Sequence, residues 1–259
     1  MSWPANILEV LRGWARGGAD LLLPELCAAC AGADVSAEGL CEACNVALLS
    51  MVSIPYCPRC GGSLGPNVPV RQEGCASCPA TLPRFVRVIR LGPYVAPLVS
   101  IIRELKYRRQ ETMRRRLGRL LGLAVAARSD GESFDLVTPV PMHWRRRLAR
   151  GYDHARNLAA AVAAELKLPA GDELVRTRNT PPQTHLSRSV RIENVRGAFA
   201  ARGAAAIAGA NILLVDDVCT TGATASEAAK ALLDSGALRV TLAVVAKSEP
   251  PRAYAQGAT

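Results

Sequence analysis

No Gly-Lys dipeptide occurs anywhere in the 259 residues, which removes the G-x-x-x-x-G-K-[ST] loop with which nucleotide hydrolases cradle phosphates. No run approaches the about eighteen uninterrupted apolar residues of a membrane-crossing helix, so membrane insertion is not expected. The N-terminus lacks the charged-then-apolar order of a secretory leader, because Glu9, Arg12 and Arg16 interrupt its apolar residues. The expected location is therefore cytoplasmic. Lysine supplies only four of the 32 basic residues. A GC-rich genome produces the same Arg bias, which weakens basic composition as evidence of function. Aromatic residues make up 4% of the chain. There is no low-complexity linker, and no internal repeat beyond the cysteine pairs described next.

What is present is ordinary in bulk and unusual in detail. Hydrophobic residues at 49% and charged residues at 21% suit a soluble globular protein, of one large domain or two unequal ones. The net charge of +10 suggests phosphate-bearing partners. Residues 1–23 carry Ile7, Leu8, Leu11 and Trp14 at helical spacing and are expected to form a short helix packed on the rest. From 24 to 82 the character changes. Cys27, Cys30, Cys41 and Cys44 form two CxxC pairs, and Cys57, Cys60, Cys75 and Cys78 form two more. In a cytoplasmic chain such cysteines point to metal rather than to disulfides. Two knuckles of two thiolates complete a tetrahedral Zn²⁺ site, and four thiolates leave no open position, so two structural zinc ions are expected. Sequential pairing of the knuckles is the expectation; an interleaved arrangement would use the same eight ligands. The segment has little other core-forming sequence, so metal should supply most of its stability.

Near the other end, Ile212-Leu213-Leu214-Val215 reads as a buried strand of a parallel sheet. Asp216 and Asp217 follow, then Val218-Cys219-Thr220-Thr221-Gly222-Ala223-Thr224 and a helix. A Thr/Gly loop entering a helix presents unpaired N–H groups to an anion, and the hydroxyls of Thr220, Thr221 and Thr224 add donors. An adjacent acid pair suits two sugar hydroxyls or a divalent cation. A ribose 5-phosphate needs both halves. The alternative is a strand with a solvated acidic end and a Thr-capped helix. Cys219 is either a thiol with a lowered pKa at the loop or a small filler.

Between these regions, strands are expected over 85–91, stopped by Gly92-Pro93, and over 135–141, and helices over 97–107, 111–128 and 152–166. The loop Pro139-Val140-Pro141 should face the same cleft as Asp216 and Asp217, because ligands of parallel sheets sit beyond the carboxyl ends of the strands. Arg103, Lys106, Arg108, Arg109, Arg114, Arg115, Arg116 and Arg119 face only Glu104 and Glu111, which reads either as a solvated face or as a phosphate-binding surface. Few aromatics flank that stripe, so single-strand stacking is poorly provided for. Gln183, Thr184, Arg188, Arg191, Asn194 and Arg196 lie in a charged stretch expected to be a flap.

The thirteen residues 212–224 resemble the type I phosphoribosyltransferase signature. The order of tandem CxxC pairs, Leu105-Lys106-Tyr107, Pro139-Val140-Pro141, Arg150-Gly151-Tyr152, Pro182-Gln183-Thr184, Arg191-x-x-Asn194 and the 212–224 loop resembles the ComF family. The resemblance covers about residues 20–248. It implies an α/β type I phosphoribosyltransferase fold, a parallel sheet flanked by helices, over residues 83–250, preceded by a double zinc ribbon and followed by a flexible tail over 251–259. It further implies phosphoribosyl diphosphate as ligand, with its 5-phosphate on Val218–Thr224, its ribose on Asp216 and Asp217 as catalytic carboxylates, and its diphosphate, with Mg²⁺, near Pro139–Pro141, Lys106 and Arg150. Gln183, Thr184, Arg191 and Asn194 would close over it. Single-stranded DNA and DNA-uptake or helicase proteins are the implied partners; a binding module that senses a phosphoribosyl ligand or a 5′-phosphate without group transfer is the alternative. One departure stands out. The family continues Arg-Gly-aromatic with Asn-Gln, whereas this chain has Asp153 and His154, and a carboxylate there would repel a diphosphate unless an Arg pairs with it.

Overall fold

The computed structural model describes residues 26–249 apart from 66, 70, 72, 80, 82, 108–110, 146–147, 149–152 and 180–187. The expected helix over 1–23, Arg150, Gln183, Thr184 and the tail lie outside the described residues. Lys106 and Arg191 fall within helices whose backbone alone is described at those positions.

In chain order the first elements are α1 (Glu42–Val52), β1 (Arg87–Pro93), α2 (Leu98–Tyr107), α3 (Glu111–Arg128), β2 (Leu136–Pro139) and α4 (His154–Leu166). Then come β3 (Leu174–Arg176), α5 (Arg188–Val195), β4 (Phe199–Ala201), α6 (Ala204–Ile207), β5 (Asn211–Cys219), α7 (Ala223–Asp234) and β6 (Arg239–Lys247). Four strands form one parallel sheet in the order β1-β6-β5-β2. β3 and β4 form a separate antiparallel pair.

The central strands β5 and β6 bury both faces, which is why they read as continuous apolar runs. Alternation divides their side chains between two clusters. Leu213 and Val215 pack with Ile101, Leu117 and Leu158 of α2, α3 and α4. Ile212 and Leu214 pack with Ala228 and Leu232 of α7 and with Phe199 of β4. Among the described residues no helix is long and apolar enough to cross a membrane.

Three features differ from the sequence-based expectations. β1 runs through Gly92 and Pro93 instead of stopping before them; it is an edge strand, where the missing proline N–H removes no ladder bond. β5 does not end at its acids but continues to Cys219, because β6 extends alongside and pairs Val218 with Ala246 and Cys219 with Lys247. The cysteine-rich segment also contributes more core than expected: Leu40, Leu48 and Met51 are buried in the same cluster as α2 and α3.

Candidate functional site

The eight paired cysteines gather into two tetrads, Cys27/Cys30/Cys41/Cys44 and Cys57/Cys60/Cys75/Cys78, whose sulfurs all lie within 4.8 Å of one another. This is the sequential pairing. Sγ–Sγ separations of 3.8 Å for Cys30–Cys41 and 3.7 Å for both Cys57–Cys78 and Cys60–Cys75 match the about 3.8 Å edge of a thiolate tetrahedron around zinc at about 2.3 Å. Backbone amides already point at the sulfurs: Cys41 N to Cys27 Sγ at 3.4 Å, and Gly62 N to Cys60 Sγ at 3.4 Å. Burial raises the Cys27 thiol, but the amides of Cys41, Ala29 and Cys30 outweigh it and bring it to about 6. Burial, then the neighbouring thiols, push Cys44 far up. Four thiols this close ionise together only around a cation, so the donor set fits structural zinc.

The second centre is the end of β5. There Gly222 takes φ +80°, and a Cβ at that position would lie 3.4 Å from the Phe85 ring. The turn swings the chain into α7, to which the N-cap Gly222 offers no side-chain bond. Thr221 Oγ1 accepts from Ala223 N at 3.3 Å, and Gly222 O accepts from Ser226 N at 2.8 Å. The Lys247 ammonium donates to the Thr220 carbonyl and to Ser248 O. The Pro139–Pro141 loop is fixed alongside, with Pro139 in register with Val215 and Val140 N donating to Val215 O at 2.8 Å. The loop therefore lies beside Val215, the residue that precedes the acids.

The two acids diverge. Asp216 Oδ1 accepts from Asp217 N at 2.8 Å, and Asp217 Oδ1 accepts from Val218 N at 2.7 Å. Asp217 faces the helices, lining a narrow gap with Ile102, Leu105, Arg114, His154 and Leu158. Asp216 acts instead on Cys219, which packs in the α7 cluster. Burial pushes the Cys219 thiol up to about 11, opposed by Lys247 and assisted by Asp216. Cys219 is thus the small filler, not an activated thiol.

Asp153 has a local task. Its carboxylate accepts from Arg156 N at 3.2 Å as the N-cap of α4, while His154 is turned inward beside Asp217. A cavity of about 360 Å³ lies beyond the sheet edge between Pro139, Pro141, Trp144, Asp153, Arg156 and Arg176; none of residues 212–224 lines it. The basic run over 103–119 is not one free face. Arg114 and Arg115 pair with Glu111, Arg116 with Glu38, and Arg119 with Glu165. Of the flap, Asn194 lies on α5, just ahead of Gly197, whose N–H donates to Glu227 of α7 at 2.9 Å. Sequence reasoning missed Arg114 and His154 as neighbours of Asp217, and Lys247 as a neighbour of the Thr220 carbonyl. Lys247 had a signal, as a lone lysine ending an apolar strand run; the other two depend on helix packing.

Fold and cysteine tetrads define an α/β phosphoribosyltransferase-fold protein carrying a double zinc ribbon. Residues 18–83 match the double zinc ribbon domain and residues 153–255 the phosphoribosyl transferase domain. The chain belongs to the ComF family. It is 33% identical over 226 residues to DNA utilization protein YhgH of Salmonella typhi, covering 85% of this chain and 96% of that protein. It is 31% identical over 207 residues to competence protein F of Haemophilus influenzae, covering 78% and 87%. Among solved structures, the allosteric regulatory enzyme of purine biosynthesis aligns over 51% of this chain and 25% of its own at 23% identity, with a TM-score of 0.35.

Proposed function

We propose that the chain binds phosphoribosyl diphosphate and acts as a type I phosphoribosyltransferase in the handling of incoming or single-stranded DNA. One observation carries the ligand reading: β5 carries two carboxylates near its end and leads through Val218–Thr221 into a positive-φ glycine turn that opens a 12-residue helix, beside the Pro139–Pro141 loop. The 5-phosphate takes the N–H groups and hydroxyls of Thr220–Thr224. The acid pair Asp216 and Asp217 supplies the carboxylate for the ribose hydroxyls, and a carboxylate beside the sugar stabilises the positive charge that builds on its carbon as diphosphate leaves. Pro139–Pro141 and the basic groups Lys106 and Arg150 receive the diphosphate. Mg²⁺, when bound, neutralises that leaving group. The stretch 183–196 closes over the sugar and keeps water from intercepting it. The DNA link rests on what the relatives are called, utilization and competence proteins.

Calorimetry with phosphoribosyl diphosphate and Mg²⁺ tests the site. Saturable heat is expected, abolished in Asp216→Ala/Asp217→Ala; a flat trace at millimolar ligand would sink the reading. Binding without release of diphosphate in the presence of DNA or nucleobases would favour the sensing module over the transferase.

A further inference from the structure

We propose that the second ribbon, Cys57–Cys78, positions the Thr220–Thr224 loop, with Lys247 and the Ser63–Glu249 contact as the positioning groups, so that the metal in this tetrad, and not the one in the first, governs how well the loop is formed. This rests on the reading of that loop as the ligand site.

Three ties join the two. Lys247 lies along the ribbon: a Cβ at Gly61, in the knuckle that carries Cys57 and Cys60, would sit 3.4 Å from Lys247 Cδ. Its ammonium ends on the Thr220 carbonyl. An ammonium there occupies the carbonyl oxygen, which would otherwise repel an anion, and adds positive charge to the loop. Two residues on, Glu249 Oε1 accepts from Ser63 N at 2.7 Å, Ser63 Oγ at 2.9 Å and Arg90 Nη1 at 2.7 Å. Between them Ser248 N donates to Cys219 O at 2.9 Å, so the chain clamped by the ribbon is the chain paired to the loop. The third tie is Arg59, one residue before Cys60. It donates to the carbonyl of Phe85, whose ring packs against Gly222. Arg84 N also donates to Ser226 Oγ in the first turn of α7, at 3.1 Å. The first ribbon has different attachments: Arg116 of α3 reaches Glu38, and Leu40 and Leu48 enter the helix-side cluster. An anion loop formed before its ligand arrives binds without a further ordering cost.

The test is hydrogen exchange at residues 219–224 in the zinc-loaded full chain, with zinc content and phosphoribosyl diphosphate affinity measured on the same samples. Lys247→Met and Ser63→Ala are expected to accelerate exchange of these amides about tenfold, as loss of a charge-assisted or buried bond implies, with zinc content as in the wild type. Affinity should fall by a similar factor. Arg116→Met, on the first ribbon's attachment, should leave the same amides unchanged. Exchange within twofold of wild type in both Lys247→Met and Ser63→Ala would overturn the proposal, whatever the ligand data show. If exchange accelerates as expected but the wild type binds no phosphoribosyl diphosphate, the positioning stands and the ligand reading falls.

Discussion

The two cysteine tetrads use the same ligands at similar spacings, yet they are joined to the protein by different physics. The first is followed by a helix, and Leu40, Leu48 and Met51 enter the cluster that also holds Leu98, Ile101 and Met113. It is attached by apolar burial. The second contributes almost no apolar side chain beyond Cys57 itself. It is attached by polar groups: Arg59 to backbone carbonyls, Ser63 to Glu249, and Tyr56 beneath the Arg90 guanidinium at 4.9 Å. Apolar attachment is non-directional and stabilises the fold as a whole. Polar attachment fixes particular atoms, and here the atoms fixed lie next to the Thr220–Thr224 loop.

The comparison breaks most visibly at the metals. Cys44→Ser removes a ligand from the tetrad whose neighbours are part of the core, and it is expected to lower global stability by about 5 kcal/mol, a share of the roughly 10–16 kcal/mol of structural zinc binding. Cys60→Ser should lower it less and act on the loop instead. Denaturant unfolding of both variants, each assayed for zinc, decides; a larger global loss in Cys60→Ser would reverse the assignment. Next in size is Arg90→Met. Arg90 is fully buried and its partner Glu249 is 5% exposed, at 2.7 Å, so truncation leaves a buried carboxylate and should cost about 3–5 kcal/mol. The double variant Arg90→Met/Glu249→Leu should regain much of that, because two apolar groups need no partner. Failure of the second change to restore stability would show that the pair does more than neutralise itself. On the other ribbon, Leu48→Ala should cost about 3 kcal/mol through the cavity it leaves, with no change in hydrogen exchange at 219–224.

Much of this arrangement was legible in the sequence, and the rest was not for identifiable reasons. Ile212–Val215, the Thr/Gly loop and the CxxC pairs are local patterns, each interpretable within about fifteen residues. The length of β5 is not local: its last residues are strand because β6 runs on to Lys247. The divergence of Asp216 and Asp217 follows from that, since strand alternation continues through the acids. Asp153 carried a readable signal, a carboxylate immediately before a helix, and it caps α4 there. How each ribbon docks was hidden. Leu48 and Met51 are too few to mark α1 as a core helix, and Glu249 lies 186 positions from Ser63.

The smallest predicted effect sharpens the comparison from the side of the first ribbon. Arg116 and Glu38 form an ion pair at 3.0 Å across its attachment to α3, but the Glu38 side chain is 61% exposed. Water already solvates that carboxylate, so the pair contributes only about 0.2–1 kcal/mol. Glu38→Gln should therefore shift the unfolding midpoint barely beyond error. The residual effect should shrink as salt rises, since exposed charges are screened over about 10 Å at 0.1 M. The Glu249 pair, closed off from solvent, should be far less responsive to the same salt series. Stability curves for Glu38→Gln and Arg90→Met at low and high ionic strength test this directly. If Glu38→Gln instead costs as much as Leu48→Ala, the first ribbon is held by its charges as well, and the division between an apolar and a polar attachment fails.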